Sequence, residues 1–143
     1  MLDDESTRFL AFEDGQKTEA GARTLFEYVL ENYDSPDVLH AYAIADASTD
    51  TYIGSCGFAP YDDGVVECYF AINPEHRGSG FAVEATQALV AALSRVVEVR
   101  AYCHADNVAA HRVARKCDMI PLGHGRNKNS GLEGEVFVTR KGR

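Results

Sequence analysis

The chain has 143 residues, 45% of them hydrophobic, and a formal net charge of −8 at pH 7. This size and composition predict a single domain with a buried core over residues 1–143. The acidic charge disfavours nonspecific binding to nucleic acid or to an anionic membrane. No apolar run of about 18 residues and no basic, apolar leader is found, so we expect a cytoplasmic protein.

The four cysteines, Cys56, Cys68, Cys103 and Cys117, are widely spaced along the chain. They include no Cys-x-x-Cys pair of the kind that holds zinc or performs redox chemistry. We therefore predict no metal site and expect the cysteines to be buried free thiols.

The first predicted helix is marked by apolar residues at helical spacing: Ala22, Leu25, Phe26, Val29, Leu30 and Tyr33. Thr18 can cap its start, and Pro36 would prevent it from continuing. Strand patterns follow at residues 39–45, 51–58, 65–72 and 97–103, with turn-rich stretches at 46–50 and 60–64. The first three strands are predicted to form an antiparallel meander.

Two further helices and a hairpin complete the prediction. A helix near residues 80–94 leads to the 97–103 strand, which would return parallel through a right-handed crossover. A helix after Asn107 precedes a last hairpin, and residues 123–134 are interpreted as its long loop. The predicted fold class is α/β (α+β), with a mixed, mostly antiparallel twisted sheet flanked by helices.

A glycine-rich turn joins the 65–72 strand to the following helix, with the sequence Ile72-Asn-Pro-Glu-His-Arg-Gly-Ser-Gly-Phe-Ala82. Gly78 and Gly80 lack the Cβ atoms that would keep a ligand away from the backbone. Successive N–H groups at a helix start can then bind an anion, and the helix dipole adds to the attraction. On these residues alone, a phosphate site and an ordinary turn remain equally open.

Two segments resemble signatures of the GNAT superfamily of acetyl-coenzyme A-dependent N-acetyltransferases. Arg77-Gly-Ser-Gly-Phe-Ala82 is similar to the family's Arg/Gln-x-x-Gly-x-Gly/Ala loop, which binds the cofactor pyrophosphate. The segment that starts at Asp106-Asn107 is similar to the second signature, an Asn followed by a helix ending in Lys-x-Gly-Phe. Gly80-Phe-Ala-Val-Glu-Ala85 resembles the form found in the ribosomal-protein N-terminal acetyltransferase branch. The resemblance covers about residues 38 to 140.

The resemblance implies transfer of an acetyl group from acetyl-coenzyme A directly to a primary amine, on a protein or peptide N-terminus or on a small molecule. It implies that the backbone of Ala71 and Ile72 and the amide of Asn107 hold the pantetheine arm. The pyrophosphate would be bound by the turn residues Arg77, Gly78, Ser79, Gly80, Phe81 and Ala82. Asn107 could equally cap the following helix, and both roles can hold together.

Three residues are candidates for proton transfer. Glu67 is the first candidate for the base that deprotonates the amine, because the ribosomal-protein branch also carries Glu at this position; a structural surface carboxylate is the alternative. His104 follows the 97–103 strand, near the split where the thioester should enter, and histidine is the side chain that ordinarily titrates near neutral pH; a loop histidine in solvent is the alternative. Tyr69 shares the face of Glu67 by strand alternation and could protonate the leaving thiolate. The tyrosine that many family members use for this step is replaced here by Ala114.

Only about 17 residues precede the first predicted helix, whereas the family usually begins with a strand and another helix. A missing first strand would leave the 39–45 strand as an exposed sheet edge and remove one wall of the substrate pocket. Three alternatives follow: a homodimer that rebuilds the wall, an open pocket, or a non-catalytic module that binds acyl-coenzyme A.

Overall fold

The computed structural model describes residue 8 and residues 13–35 and 39–139. Its elements in chain order are a 3₁₀ turn (Asp14–Lys17), α1 (Glu19–Glu31), β1 (His40–Ala45), β2 (Tyr52–Asp62), β3 (Val65–Ile72), a second 3₁₀ turn (Pro74–His76), α2 (Phe81–Leu93), β4 (Glu98–His104), α3 (Val108–Lys116), β5 (Ile120–Arg126) and β6 (Glu133–Val138).

The six strands form one sheet in the order β1-β2-β3-β4-β6-β5. The first three strands form an antiparallel meander, β4 returns parallel to β3, and β6 joins β4 and β5 in antiparallel pairs. The predicted mixed α/β class and the order of the elements are therefore confirmed. Within the described residues β1 pairs with β2 alone, so β1 forms an edge of the sheet.

Two predicted loop boundaries were wrong. β2 continues through Pro60 to Asp62, because a register shift between these residues accommodates a proline that cannot donate to the ladder. The turn to β3 is then only Asp63 and Gly64, with Gly64 at a φ of 67°.

The predicted 123–134 loop is also shorter than expected, because β5 and β6 reduce it to residues 127–132. Gly134 lies within β6 and allows β6 to pack closely against β4, since a Cβ on Gly134 would collide with the carbonyl oxygen of Cys103.

The hydrophobic core lies between α2, α3 and one face of the sheet. It is built from the buried residues Cys68, Val90, Val99, Cys103, Ala110, Val113, Ala114, Cys117, Met119 and Phe137. All four cysteines are buried and free, as predicted, and burial raises the pKa of the Cys68 thiol to about 12. The alternating residues of β3 and β4, including Glu67, Tyr69, Arg100 and Tyr102, therefore lie on the opposite face of the sheet.

Helix α1 begins as predicted, because Thr18 Oγ1 accepts a hydrogen bond of 3.1 Å from the N–H of Gly21. It ends at Glu31, two residues before the predicted Tyr33, and Pro36 lies outside the described residues. Phe26 and Leu30 on α1 are 61% and 56% exposed. This helix therefore presents an apolar stripe that the described part of the chain does not bury.

The end of α3 contains a residue in a conformation that favours glycine. Asp118 has a φ of 57°, its N–H donates to the carbonyl of Arg115, and the N–H of Met119 donates to that of Ala114. These two bonds form a Schellman motif, in which glycine normally occupies the position of Asp118.

Asp118→Gly is therefore expected to raise the free energy of unfolding by about 1 kcal/mol, since glycine adopts this backbone conformation without steric cost. Urea denaturation measures the change. Asp63→Gly is the matched control, because Asp63 is an exposed loop aspartate whose φ is not positive. An equal change in both variants would contradict the assignment of strain to Asp118.

Candidate active site

The parallel strands β3 and β4 separate along their length. Their ladder joins Val65 to Glu98, Val66 to Val99 and Glu67 to Arg100, and no further pair joins them in the described sheet. Beyond Glu67, β3 remains paired with β2, and beyond Arg100, β4 remains paired with β6. The sheet therefore opens between residues 68–72 and 101–104. We call this gap the strand opening.

Helix starts follow the carboxyl ends of both separating strands. Helix α2 begins after Gly80, its N-cap residue, and both Gly78 and Gly80 have left-handed φ angles of 82° and 83°. Helix α3 begins after Asn107, whose Oδ1 accepts a hydrogen bond of 3.1 Å from the N–H of Ala110. The positive ends of two helix dipoles therefore lie at the mouth of the strand opening, where they favour an anion.

Arg77 connects the glycine turn to the end of β3. Its Nε donates a hydrogen bond of 3.2 Å to the carbonyl oxygen of Ile72. This bond holds the turn against the end of β3. The family resemblance implies that the backbone of Ala71 and Ile72, at this end of β3, binds the pantetheine arm. Gly78, Ser79 and Gly80 are exposed, so a ligand can reach their N–H groups directly.

Glu67 lies at the point where the strands separate. It pairs with Ala59 on β2 and belongs to the last pair that joins β3 to β4. The side chain is half-buried, and burial raises the pKa of its carboxyl above the usual value, while the amide of Asn127 opposes that rise. A desolvated carboxyl beside an opening has the character of a general base, and this burial disfavours the alternative of an exposed surface carboxylate.

Tyr69 lies next to Glu67 on the same face, over Gly57. A Cβ built on Gly57 would collide with the carbonyl oxygen of His40 and would lie 2.9 Å from the Tyr69 hydroxyl, so glycine at this position accommodates both the neighbouring strand and the ring. Burial raises the pKa of Tyr69 to about 12. A thiol ordinarily titrates near 8.5, so proton transfer from Tyr69 to a leaving thiolate is uphill, and its hydroxyl is better suited to donating a hydrogen bond.

His104 ends β4 and is four residues beyond Arg100, a separation of roughly 13 Å along the strand. Its Nδ1 accepts a hydrogen bond of 3.2 Å from the N–H of Asp106, and its carbonyl oxygen lies 3.0 Å from Nε2 of His111. The structure therefore places His104 at the far end of the strand opening. Glu67 and Tyr69 are adjacent to each other, and His104 is separate from them.

A tyrosine pair that the sequence analysis did not identify lies on the Glu67 face. The Tyr102 hydroxyl donates a hydrogen bond of 2.8 Å to the Tyr61 hydroxyl, which also accepts one of 3.2 Å from the N–H of Lys128. Lys128 Nζ lies 3.2 Å from a carboxylate oxygen of Asp62. The alternating polar residues of β4, Glu98, Arg100, Tyr102 and His104, were the signal that could have revealed this face.

A groove of about 800 Å³ lies on the other face of the sheet, between β1 and α2. Its lining is largely apolar and includes Tyr42, Ile44, Phe58, Phe81 and Leu89. Since Glu67 lies on the opposite face, this groove does not adjoin the candidate base.

In the ranges that the structure describes, no helix has the length and apolar character required to cross a bilayer. The same residues contain no group of three or more His, Cys, Asp or Glu side chains placed to hold a metal ion.

The mixed six-stranded sheet, whose parallel strands separate beside a glycine turn, matches the fold of known acetyltransferases. The chain belongs to the GNAT family, since the family model for the acetyltransferase (GNAT) domain matches residues 1–120. The family resemblance predicted from the two sequence segments is confirmed. Acetyl-coenzyme A is the general cosubstrate of this family, and the exposed glycine turn and two helix starts suit its pyrophosphate.

Known relatives agree with this assignment. The chain is 30% identical over 120 residues to the uncharacterized N-acetyltransferase YjdG of Bacillus subtilis (strain 168), covering 80% of this chain and 69% of that protein. A structure described as a putative ribosomal-protein-serine acetyltransferase from Vibrio cholerae superposes with a TM-score of 0.74 at 15% identity, covering 85% of this chain and 75% of the other. A variant of the Vibrio cholerae spermidine N-acetyltransferase superposes with a TM-score of 0.68 at 15% identity, covering 96% and 90%.

Proposed function

We propose that the protein acetylates a primary amine with acetyl-coenzyme A, by direct attack of the amine on the thioester. The observation that carries this proposal is the half-buried Glu67 carboxyl at the last residue pair before β3 and β4 separate. Family membership supports the reaction class, and the strand opening supports entry of a narrow pantetheine arm beside that carboxyl.

The cofactor would be held mainly by the main chain. The N–H groups of the exposed turn from residue 77 to residue 82 would bind the pyrophosphate, and the backbone of Ala71 and Ile72 would pair with the pantetheine arm. Asn107 already uses Oδ1 as the N-cap of α3, which leaves its amide NH₂ group for the cofactor.

Bound acetyl-coenzyme A supplies a thioester whose C–S bond is exchanged for a C–N bond to the amine. Glu67 would accept a proton from the attacking ammonium, directly or through one water, and its raised pKa suits this task near neutral pH. The departing sulfur would take its proton from water or from the distant His104, while Tyr69 donates a hydrogen bond.

The acceptor would be a protein or peptide N-terminus or a small amine. Solved structures that share the fold and are described as ribosomal-protein and spermidine acetyltransferases support this range without selecting within it. Titration with acetyl-coenzyme A, followed by thiol release with a panel of peptides and small amines, tests the proposal. Tight binding without transfer to any amine would favour the alternative of a non-catalytic acyl-coenzyme A module, for which the buried Ala114 at the usual tyrosine position is the supporting observation.

Residues 1–143 are proposed to act as one domain in the cytoplasm and as a homodimer. Within the described residues β1 pairs with β2 alone, and this sheet edge supports association with a second copy. The exposed Phe26 and Leu30 on α1 and the apolar groove beside β1 support it too, because a second copy would cover them.

Light scattering is expected to give the mass of a dimer, and Leu30→Glu is expected to give a monomer because it places a charge in the apolar stripe. Val96→Glu is the matched control, since Val96 is 80% exposed beyond the end of α2. A monomeric wild type at high protein concentration with acetylation intact would contradict the homodimer and favour an open pocket.

A further inference from the structure

The 127–132 loop between β5 and β6 is organised by one buried asparagine. Asn127 is 1% exposed, and its Oδ1 accepts hydrogen bonds of 2.8 Å and 3.0 Å from the N–H groups of Asn129 and Ser130. Its backbone N–H donates to the carbonyl of Leu132, and its carbonyl accepts from the N–H of Gly131. The side-chain orientation of Asn127 is therefore fixed by the loop that it closes.

The same loop is fastened across the Glu67 face. The N–H of Lys128 donates to the Tyr61 hydroxyl, and Lys128 Nζ pairs with Asp62 at the end of β2. These contacts bring the loop over the sheet, with the Asn127 amide towards the Glu67 carboxyl.

Asn127 Nδ2 is buried and, among the described atoms, has no hydrogen-bond partner of good geometry. The amide lowers the pKa of Glu67 as a hydrogen-bond donor does, although its separation or angle from the carboxyl lies outside a strict hydrogen bond in this structure. A buried donor without a partner is unfavourable, and a carboxylate that moves slightly towards it would supply the missing acceptor.

We propose that Asn127 is a positioning residue for the candidate base: its Nδ2 orients the ionised Glu67 carboxylate towards the strand opening and stabilises it there. This inference rests on the proposed function, because it assigns to Glu67 the role of base. Burial and the Asn127 amide have opposite effects on the pKa of Glu67, which supports the assignment. The amide would keep a desolvated carboxyl able to ionise near neutral pH.

Other ionisable groups on this side of the sheet belong to every neighbouring element. They are Tyr61 and Asp62 on β2, Tyr69 on β3, Glu98, Arg100, Tyr102 and His104 on β4, and Lys128 on the loop; His104 lies at the far end of the strand opening from Glu67. Arg100 and Lys128 are each paired, with Glu98 at 2.7 Å and Asp62 at 3.2 Å. Burial and Asn127 are the two causes that act on the pKa of Glu67, so Asn127 is the group whose replacement should change it.

The test is the pH dependence of kcat/KM for amine acetylation in the full chain carrying Asn127→Asp. Aspartate retains the oxygen that accepts from Asn129 and Ser130, but it places a negative charge beside Glu67 where the amide donor was. The acidic limb of the profile is expected to move upward by about one pH unit, since a like charge disfavours ionisation. Asn129→Asp adds the same charge on an exposed neighbour and is expected to leave the limb unchanged.

A second variant guards against a failure of Asn127→Asp to fold. Asn127→Ser keeps a short acceptor for the loop but cannot reach Glu67, and it is expected to move the limb in the same direction by a smaller amount. Thermal unfolding shows whether each variant is folded. In a Glu67→Gln background, Asn127→Asp is expected to cause no further shift of the profile.

The outcomes separate the two proposals. If the pH profiles of Asn127→Asp, Asn127→Ser and Asn129→Asp all coincide with that of the wild type while Glu67→Gln remains slow, the role of Asn127 is overturned and the proposed function stands. Absence of transfer by the wild type, or an unchanged rate in Glu67→Gln, would overturn the proposed function or its base and with it this inference.

Discussion

Glu67→Gln is expected to lower kcat for amine acetylation by about 10²–10⁴-fold, the range that general base catalysis contributes. Glutamine fills the same space between Ala59 and Arg100 but cannot accept a proton. The affinity for acetyl-coenzyme A should be unchanged, since the groups proposed to hold the cofactor are mainly main-chain groups some residues away. Steady-state assays of thiol release measure kcat, and calorimetric titration measures the affinity for acetyl-coenzyme A.

Although Glu67→Gln is expected to lower kcat, it is expected to raise the stability of the folded protein at neutral pH. Burial raises the pKa of Glu67, so its contribution to stability is present below the pKa of the unfolded chain and is lost as pH rises through the folded pKa. Because glutamine does not ionise, Glu67→Gln removes this loss of stability at higher pH. The variant is expected to melt above the wild type at neutral pH, with the difference vanishing in acid.

Glu27→Gln on the exposed surface of α1 is the matched control and should alter neither rate nor melting temperature. A Glu67→Gln variant that retains the wild-type rate would exclude Glu67 as the base and make His104 the next candidate.

Gly80→Val is expected to weaken acetyl-coenzyme A binding by roughly 10–100-fold, the loss of about one charge-assisted hydrogen bond. A Cβ at Gly80 would meet nothing within 4 Å, so the variant creates no collision. The effect comes from the backbone, because valine strongly resists the φ of 83° that aims the N–H groups at the start of α2. Calorimetric titration of the folded variant measures the loss.

Gly64→Val is the control, because Gly64 also has a left-handed φ and equally open surroundings, but it lies in the turn between β2 and β3. It should cost similar stability without changing the affinity. Unchanged cofactor affinity in folded Gly80→Val would remove the assignment of the pyrophosphate to this turn.

Local patterns were sufficient for most of the fold. Thr18 and Asn107 cap their helices as the sequence indicates, because a cap is decided by side chains within three residues of each other. Alternation placed Glu67 and Tyr69 on one face for the same reason. Pro60 and the glycines of residues 123–134 misled the loop assignment, since whether such residues end a strand or fit within it depends on the strand beside them.

The sequence by itself therefore determined the family, the order of the elements, the glycine turn and the candidate base. Only the tertiary structure decided what surrounds the candidate base. The separation of β3 from β4 after Glu67, the hydroxyl pair of Tyr61 and Tyr102, and the approach of Asn127 to Glu67 all join residues far apart in the chain. No local pattern contains such contacts, because they depend on how the sheet and its last hairpin pack together.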